Sequence, residues 1–322
     1  MQIVAVDIGG TNARFAIAEV ADGRVLSLGE AVTLQTAHHA SFETAWEAFV
    51  AKLGRSAPRH AGIAVASPVG GDTIKLTNNP WVIRPALLDA RLGLDRHVLV
   101  NDFGAVGHAV AQVGPEHLRH LCGPDAPLPG EGVIGVVGPG TGLGVAHVLR
   151  WRGGYHVIES EGGHLDFAPL DAIEDAILAR LREKFRRVST ERIACGPGLV
   201  NIYEALAAIE GRAVRVEGTT ELWQNAMAGY DSLAVAALDR FFLSLGAIAG
   251  DIALATGAKG MVIAGGLGLR LADHFARSGF AERFVAKGRF EAMMAAMPVK
   301  LITHREPGLY GAAAAFAQEQ HA

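Results

Sequence analysis

The sequence predicts two α/β domains, and three observations support this interpretation. The chain has 322 residues, which is long for one domain. A meander of apolar segments at the start is followed by alternating helix and strand patterns. Near residue 132 a similar pattern begins again, which is typical of a duplicated fold. We therefore expect two α/β domains around a cleft.

The first domain is predicted from apolar runs and turn signals. Asp22-Gly23 is a hairpin signal, and Ser41 is placed to cap a helix whose apolar side chains share one face. The expected strands lie at residues 3–7, 13–20, 24–34, 61–66 and 97–101.

The second domain is predicted in the same way. Its strands are expected at residues 132–137, 144–150, 260–264 and 298–303. Its helices are expected at about residues 170–186, 198–208, 220–228 and 231–256. A last helix at 308–318 follows, and we expect it to pack back on the first domain. The predicted division is 1–110 plus about 305–322 for a small domain, and 111–304 for a large one, with a linker near 110–131.

Composition narrows the class of function. The net charge of −4 does not indicate the excess of positive charge that is typical of proteins that bind nucleic acid or an anionic membrane. The uncharged run 132–149 contains several glycines and a proline, which argues against a spanning helix. Cys122 and Cys195 form neither a disulfide framework nor a CxxC metal site. We expect a cytoplasmic protein without structural zinc.

The first motif that carries chemistry is a Gly-rich turn between two apolar strands. Glycines let the backbone approach a phosphate, and successive N–H groups can form an anion nest. Asp7 at the strand end could hold Mg²⁺, through water because Mg²⁺ dehydrates reluctantly. An ordinary tight hairpin is the alternative. The turn consists of Asp7, Ile8, Gly9, Gly10, Thr11 and Asn12.

A second Gly-rich hairpin lies at the matching point of the repeat. Gly140 and Thr141 each lie 130 residues after their counterparts Gly10 and Thr11. Position 143 is Leu and no helix pattern follows, so a Rossmann fingerprint fails. The sequence has no Gly-Lys pair, which excludes a Walker P-loop. The phosphate-binding motif that is not excluded is a pair of hairpins that together hold the phosphates. The alternative is that the second hairpin has only a structural role. The candidate residues are Gly138, Gly140, Thr141 and Gly142.

Asn101 and Asp102 stand directly after the apolar strand at 97–100, at the edge where a parallel sheet opens its crevice. A carboxylate there can take a proton from a substrate hydroxyl. The strong alternative is a helix N-cap, since Asp and Asn are favoured caps.

Two further motifs supply polar groups and glycines. Glu161 and His164 flank two glycines and suit hydrogen bonding to a polyhydroxyl substrate better than metal ligation. Glu191 could add a third contact, although a lone glutamate is most often solvated surface. Gly265-Gly266 follows a buried strand and could pack on adenine or ribose, or could be a strand–helix packing turn.

Together these segments resemble the bacterial glucokinase family, of the zinc-free proteobacterial type, in the hexokinase–actin superfamily. The resemblance runs nearly the full chain and rests on blocks in the right order. They are VDIGGTNARFA (6–16), LTNNPW (76–81), VNDFGAVG (100–107), GPGTGLGVAH (138–147), EGGHLDFAP (161–169), STER (189–192), CGPGLVNIYEAL (195–206), VIAGG (262–266) and PGLYGAAA (307–314).

The resemblance implies two ribonuclease H-like domains and ATP-dependent phosphorylation of glucose at the 6-hydroxyl, the first step of glycolysis. It implies Asp102 as the catalytic base, and Asn101, Glu161, His164, Glu191 and Asn78 as sugar ligands. The two hairpins, with Gly265 and Gly266, would bind ATP, and Mg²⁺ would lie near Asp7. A homodimer is also implied. A kinase of another hexose or amino sugar, and a non-catalytic sugar-binding regulator, are the alternatives.

Overall fold

The computed structural model describes residues 1–76 and 79–321. The strands are β1 (Gln2–Ile8), β2 (Asn12–Ala21), β3 (Arg24–Leu28), β4 (Val32–Gln35), β5 (His60–Val65), β6 (Ile74–Lys75), β7 (Val82–Ile83), β8 (Arg96–Asn101), β9 (Leu118–Cys122), β10 (Gly132–Pro139), β11 (Leu143–Trp151), β12 (Gly154–Ser160), β13 (Ala258–Ile263) and β14 (Val299–Ile302). The helices are α1 (Phe42–Leu53), α2 (Pro85–Leu92), α3 (Asp102–Gln112), α4 (Ala172–Lys184), α5 (Gly196–Ile209), α6 (Thr219–Ala228), α7 (Ser232–Thr256), α8 (Gly265–Arg270), α9 (Phe280–Val285), α10 (Glu291–Ala295) and α11 (Pro307–His321).

The chain divides into two compact units. Unit 1 comprises Met1–His117, Val157–Glu159 and His304–Ala322, and unit 2 comprises Leu118–His156 and Ser160–Thr303. Unit 1 therefore includes the C-terminal helix as well as the N-terminal segment.

Unit 1 is built on a sheet with the strand order β3-β2-β1-β5-β8, and β4 also pairs with β2. Strand β1 alternates between two cores, as a strand buried on both faces must. Val4, Val6 and Ile8 pack with the apolar face of α1, whereas Ile3 and Ala5 pack with α11. The sheet thus lies between helices, which is the layered arrangement of an α/β domain.

Helix α1 begins where the sequence predicts a cap. The N–H of Thr44 donates to Oγ of Ser41 at 3.4 Å, and the N–H of Ser41 donates to Oγ1 of Thr44 at 3.1 Å. This reciprocal pair satisfies donors that the first helical turn leaves open. The helix ends at Leu53 and is capped by Gly54, whose φ of 65° is in the left-handed region that favours glycine.

Unit 2 is built on a second sheet with the order β12-β11-β10-β13-β14-β9. Its large core includes much of the helix α7. By length and composition α7 could cross a membrane, but 72% of its most apolar stretch is buried inside the protein. Burial of that extent is typical of the core helix of a globular domain.

The two sheets repeat one topology. Strand β1 pairs antiparallel with β2 and parallel with β5. Strand β10 pairs antiparallel with β11 and parallel with β13 in the same way. The two Gly-rich turns therefore occupy equivalent positions in the two sheets, and the prediction of a duplicated α/β fold is confirmed.

Three local predictions differ from the structure. The expected strand 24–34 is two strands, β3 and β4, both paired with β2. The Pro- and Gly-rich segment expected to be a linker contains β9, which pairs antiparallel with β14 at the edge of the second sheet. The boundary between the units lies at residue 117, a few residues beyond the expected position.

Candidate active site

The first Gly-rich turn, Gly9 to Thr11, joins β1 to β2 at the end of the unit 1 sheet. The N–H of Gly9 donates to the carbonyl oxygen of Asn12 at 2.9 Å, which closes the turn. Thr36 supports it from outside: its hydroxyl donates to the carbonyl of Gly10, and its N–H donates to the carbonyl of Thr11, both at 2.9 Å. These contacts hold the carbonyls of the turn in place.

The carboxylate of Asp7 lies at the end of β1, directly before this turn. Its Oδ2 accepts a hydrogen bond from Nη1 of Arg14 at 3.3 Å, and Nε of Arg14 lies 3.6 Å from Oε2 of Glu306. Burial raises the pKa of Asp7, and the neighbouring Arg14 opposes that rise. Gly308, at the start of α11, allows close approach, because a Cβ there would stand 2.7 Å from Oδ2 of Asp7.

Asn101 and Asp102 mark the junction of β8 and α3. Asn101 has extended dihedrals and is the N-cap: its Oδ1 accepts from the N–H groups of Phe103 at 2.9 Å and Gly104 at 3.2 Å. Its Nδ2 donates to the carbonyl of Ser67 at 3.3 Å. Asp102 is the first helical residue, and its Oδ1 also accepts from the N–H of Phe103, at 2.8 Å. The structure therefore gives the capping role, which the sequence left open for Asp102, to Asn101.

The segment around Trp81 belongs to the same unit. Nδ2 of Asn79 lies 3.5 Å from the carbonyl oxygen of Gly9, and its Oδ1 accepts from the N–H of Trp81 at 2.9 Å. The predicted sugar ligand Asn78 lies outside the described residues. Asn79 thus links this segment to the first Gly-rich turn.

The second Gly-rich turn, Pro139 to Leu143, joins β10 to β11 in unit 2. The N–H of Gly140 donates to the carbonyl of Gly142 at 2.8 Å, and the carbonyl of Gly140 accepts from the N–H of Gly196 at 2.8 Å. Gly138 pairs with Gly144 across the hairpin, and Thr141 is exposed at the tip.

Gly265 and Gly266 open the short helix α8, next to the base of this hairpin. The N–H of Ala264 donates to the carbonyl of Val137 at 2.8 Å, which continues the pairing of β13 with β10. Gly265 has a φ of 79°, and a Cβ there would stand 2.6 Å from the carbonyl oxygen of Pro139. Only glycine therefore fits at this position without strain. A side chain at Gly266 would meet open space instead.

Glu161 precedes a short 3₁₀ turn, Gly162–His164, which follows β12, and His164 is the last residue of that turn. Both side chains are largely exposed, and Oε2 of Glu161 lies 3.9 Å from Nε2 of His164. The main chain of the turn is held firmly: the hydroxyl of Thr190 donates to the carbonyl of Gly163 at 2.7 Å, and Nη2 of Arg187 donates to the carbonyl of His164 at 2.6 Å. The two polar side chains are thus presented from a fixed backbone.

Glu191 lies beside Thr190 in a second 3₁₀ turn, Thr190–Arg192. Its Oε2 accepts the N–H of Leu143, the first residue of β11, at 3.0 Å. The side chain is therefore not solvated surface, which was the ordinary expectation for a lone glutamate. The structure brings Glu191, the turn that carries Glu161 and His164, and the second Gly-rich turn together within unit 2.

The family model described as Glucokinase matches residues 4–319. The chain belongs to the glucokinase family. It is 65% identical over 319 residues to the glucokinase of Zymomonas mobilis, covering 99% of this chain and 98% of that protein. It is 40% identical over 320 residues to the glucokinase of Caulobacter vibrioides, covering 98% and 95%.

A solved structure supports the same conclusion. The glucokinase from an Antarctic psychrotroph matches with a TM-score of 0.86 and 31% sequence identity, covering 97% of this chain and 98% of that one. The two-domain fold of the hexokinase–actin superfamily, expected from the resemblance, is confirmed.

Several residues that shape the candidate site were not predicted individually. Thr36, Asn79 and Thr190 all hold main-chain atoms of the candidate turns. Oε1 of Glu159 also accepts the N–H of Asn101 at 2.9 Å. Asn79 and Thr190 fall within quoted sequence blocks, but only the tertiary contacts reveal what their side chains do.

Within residues 1–76 and 79–321, no group of three or more His, Cys, Asp or Glu side chains is placed to hold an ion. Cys122 and Cys195 are both free, and burial raises the pKa of each thiol to about 11.

Proposed function

We propose that this chain transfers the γ-phosphoryl group of ATP to the 6-hydroxyl of glucose, with Asp102 as the general base. Membership of the glucokinase family, with 65% identity to a named glucokinase over nearly the whole chain, is the basis for the activity. The products are glucose 6-phosphate and ADP.

The role proposed for Asp102 is supported by the finding that Asn101, and not Asp102, is the N-cap of α3. Asn101 caps the helix with two N–H contacts, so the cap does not require the carboxylate at 102. Asp102 instead stands one residue further, at the carboxyl end of a parallel strand, where α/β folds place their ligands. A non-catalytic sugar-binding regulator would need no base at this position.

We propose that the two Gly-rich turns bind the phosphates of Mg·ATP. Each turn joins equivalent strands of a duplicated sheet, and each is supported by hydrogen bonds to its carbonyl oxygens. Carboxylate oxygen is the ligand type that Mg²⁺ prefers. The Asp7 carboxylate fits contact with that ion through water, because Arg14 already occupies one side of it.

The proposed sugar ligands are Glu161, His164, Glu191 and Asn101. Carboxylate, imidazole and amide groups can accept from or donate to ring hydroxyls. Oδ1 of Asn101 is engaged in the cap and one hydrogen of its Nδ2 is directed to Ser67, so its contribution to the sugar is the second N–H of the amide. Asn78 stays a prediction.

The chemistry requires positioning and charge neutralisation more than covalent catalysis. The Asp102 carboxylate accepts the proton of the sugar 6-hydroxyl as the oxygen bonds to the γ-phosphorus. The bond between that phosphorus and the bridging oxygen breaks, and ADP leaves. N–H groups of the Gly-rich turns offset charge on the phosphate oxygens, and Mg²⁺ held near Asp7 would add further charge neutralisation.

The test is a coupled ADP-release assay with the purified protein across glucose, mannose, fructose, glucosamine and N-acetylmannosamine, with ATP or polyphosphate as donor. The proposal expects the highest kcat/KM with glucose and ATP. A clearly higher kcat/KM with another sugar, or sugar binding by calorimetry without turnover, would refute it.

The proposal also includes cytoplasmic residence and a homodimer. The two unpaired cysteines are consistent with a reducing compartment. Sedimentation equilibrium of the purified protein measures the oligomeric state, and a monomer at micromolar concentration would contradict the dimer.

A further inference from the structure

The Thr190-Glu191 pair contacts two turns of unit 2 at once. Thr190 donates to the carbonyl of Gly163 at 2.7 Å, inside the turn that presents Glu161 and His164. Glu191 accepts the N–H of Leu143 at 3.0 Å, at the end of the second Gly-rich turn. One short segment therefore holds the turn of the proposed sugar ligands and the turn of the proposed nucleotide ligands.

We propose that Glu191 is a positioning residue that couples sugar binding to the shape of the phosphate-binding turn Pro139 to Leu143. This inference rests on the proposed function, which places glucose on Glu191 and ATP phosphates on that turn. It adds that Glu191 affects nucleotide binding even before any sugar is present.

The contact between Glu191 and the turn is close as well as polar. A Cβ on Gly142 would collide with Oε2 of Glu191, so the carboxylate lies directly against the backbone of the turn. The hydrogen bond from Leu143 N–H goes to a charged acceptor, and such bonds are stronger than neutral ones. Removing the carboxylate therefore removes both a packing surface and a strong acceptor from the turn.

The carboxylate of Glu191 also explains why a bound sugar would strengthen nucleotide binding. A glutamate side chain loses rotamer freedom when it is fixed in one place. A sugar hydroxyl that bonds to Oε1 would hold the side chain where Oε2 meets Leu143, so the turn would already be ordered when the nucleotide arrives. Such coupling must be reciprocal, and the nucleotide must raise sugar affinity by the same factor.

The test measures the Kd of Mg·AMPPNP, an ATP analogue that resists hydrolysis, by titration calorimetry with and without saturating glucose. Glu191→Ala should weaken AMPPNP binding without sugar by about tenfold, the size expected for losing one hydrogen bond to a charged group. His164→Ala is the control, because it removes a proposed sugar ligand and leaves the bond between Leu143 and Glu191 in place. Its AMPPNP affinity without sugar should stay within about twofold of the wild type.

Glucose should tighten AMPPNP binding by at least about fivefold in the wild type, and this gain should be lost in Glu191→Ala. Gly142→Ala provides a second variant that displaces the carboxylate without altering it, and it should reproduce the nucleotide defect. Circular dichroism and the Tm establish that each variant is folded.

Wild-type AMPPNP affinity in Glu191→Ala without sugar, or an undiminished effect of glucose in that variant, would overturn the inference. Normal affinity in folded Gly142→Ala would overturn it too. These failures differ from failure of the proposed function, which would appear as absent glucose phosphorylation by the wild-type enzyme.

Discussion

Replacing Gly311 by alanine should damage both the stability and the turnover of this enzyme. Gly311 lies in α11, and a Cβ built there collides with the carbonyl oxygen of Ala105 in α3. Both colliding groups belong to helices, so no flexible side chain can swing away. The two helices must separate by on the order of an ångström, and overpacking of this kind costs about 1–3 kcal/mol.

That cost should lower the Tm by roughly 3–10 °C, as expected for units of this size. Ala105 is in the first turn of α3, which begins at Asp102, so displacing α3 also moves the proposed base. A misplacement of about 1 Å can reduce a rate by about 10²-fold. Differential scanning fluorimetry and the coupled assay measure the two effects. Gly130→Ala is the control, since a Cβ there meets open space. If Gly311→Ala matches that control in Tm and kcat, the packing argument is wrong.

Three further perturbations follow from single contacts. His164→Ala should change the relative rates with glucose, mannose and 2-deoxyglucose, because a site built on paired polar groups discriminates by the hydroxyls it satisfies; unchanged ratios would count against a sugar contact. Asn101→Ala should lower the stability by about 1 kcal/mol through loss of the α3 cap, while Asn101→Asp should largely restore it, as chemical denaturation would measure. Burial lowers the pKa of His147 in the folded protein. As the pH falls through about 6.5, the His147 side chain therefore takes up a proton in the unfolded chain before it does so in the folded one, and the folded state loses stability below that pH. His147→Leu should flatten the Tm profile between pH 7.5 and 5.5, and an unaltered slope would show that other groups dominate.

The elements that sequence predicts well are those whose signals are local. Helix α7 begins after Asp231, which caps it by accepting from the N–H groups of Leu233 and Ala234. It ends before Gly257, whose φ is 62°. A cap, an apolar periodicity and a terminal glycine all lie in consecutive residues. The helix expected at 231–256 agrees with these boundaries within one residue.

Strand β9 was not predicted, because its local sequence carries no clear strand signal. It lies in a Pro- and Gly-rich segment, none of its side chains is fully buried, and its partner β14 is far along the chain. Its sequence shows no alternation that would mark a buried face. Pairing at a sheet edge supplies the order that the local sequence does not indicate.

The candidate site shows the same division. The sequence singled out Asn101, Asp102 and Glu191 as candidates, but the local pattern left open which of Asn101 and Asp102 caps α3. Two adjacent residues are both good caps, and only the extended dihedrals of Asn101 decide which one caps α3. The bond from Leu143 to Glu191 joins residues far apart in sequence, so no local pattern contains it.

The central claim, that Asp102 is the general base, is tested most directly by Asp102→Asn. The amide oxygen can still accept the N–H of Phe103, and Asn101 still caps α3, so the fold should be retained. The amide cannot take the proton of the sugar hydroxyl, so kcat should fall by about 10²–10⁴-fold. Glucose affinity, followed separately by calorimetry, should change far less. Turnover close to that of the wild type in a variant that binds glucose normally would contradict the mechanism.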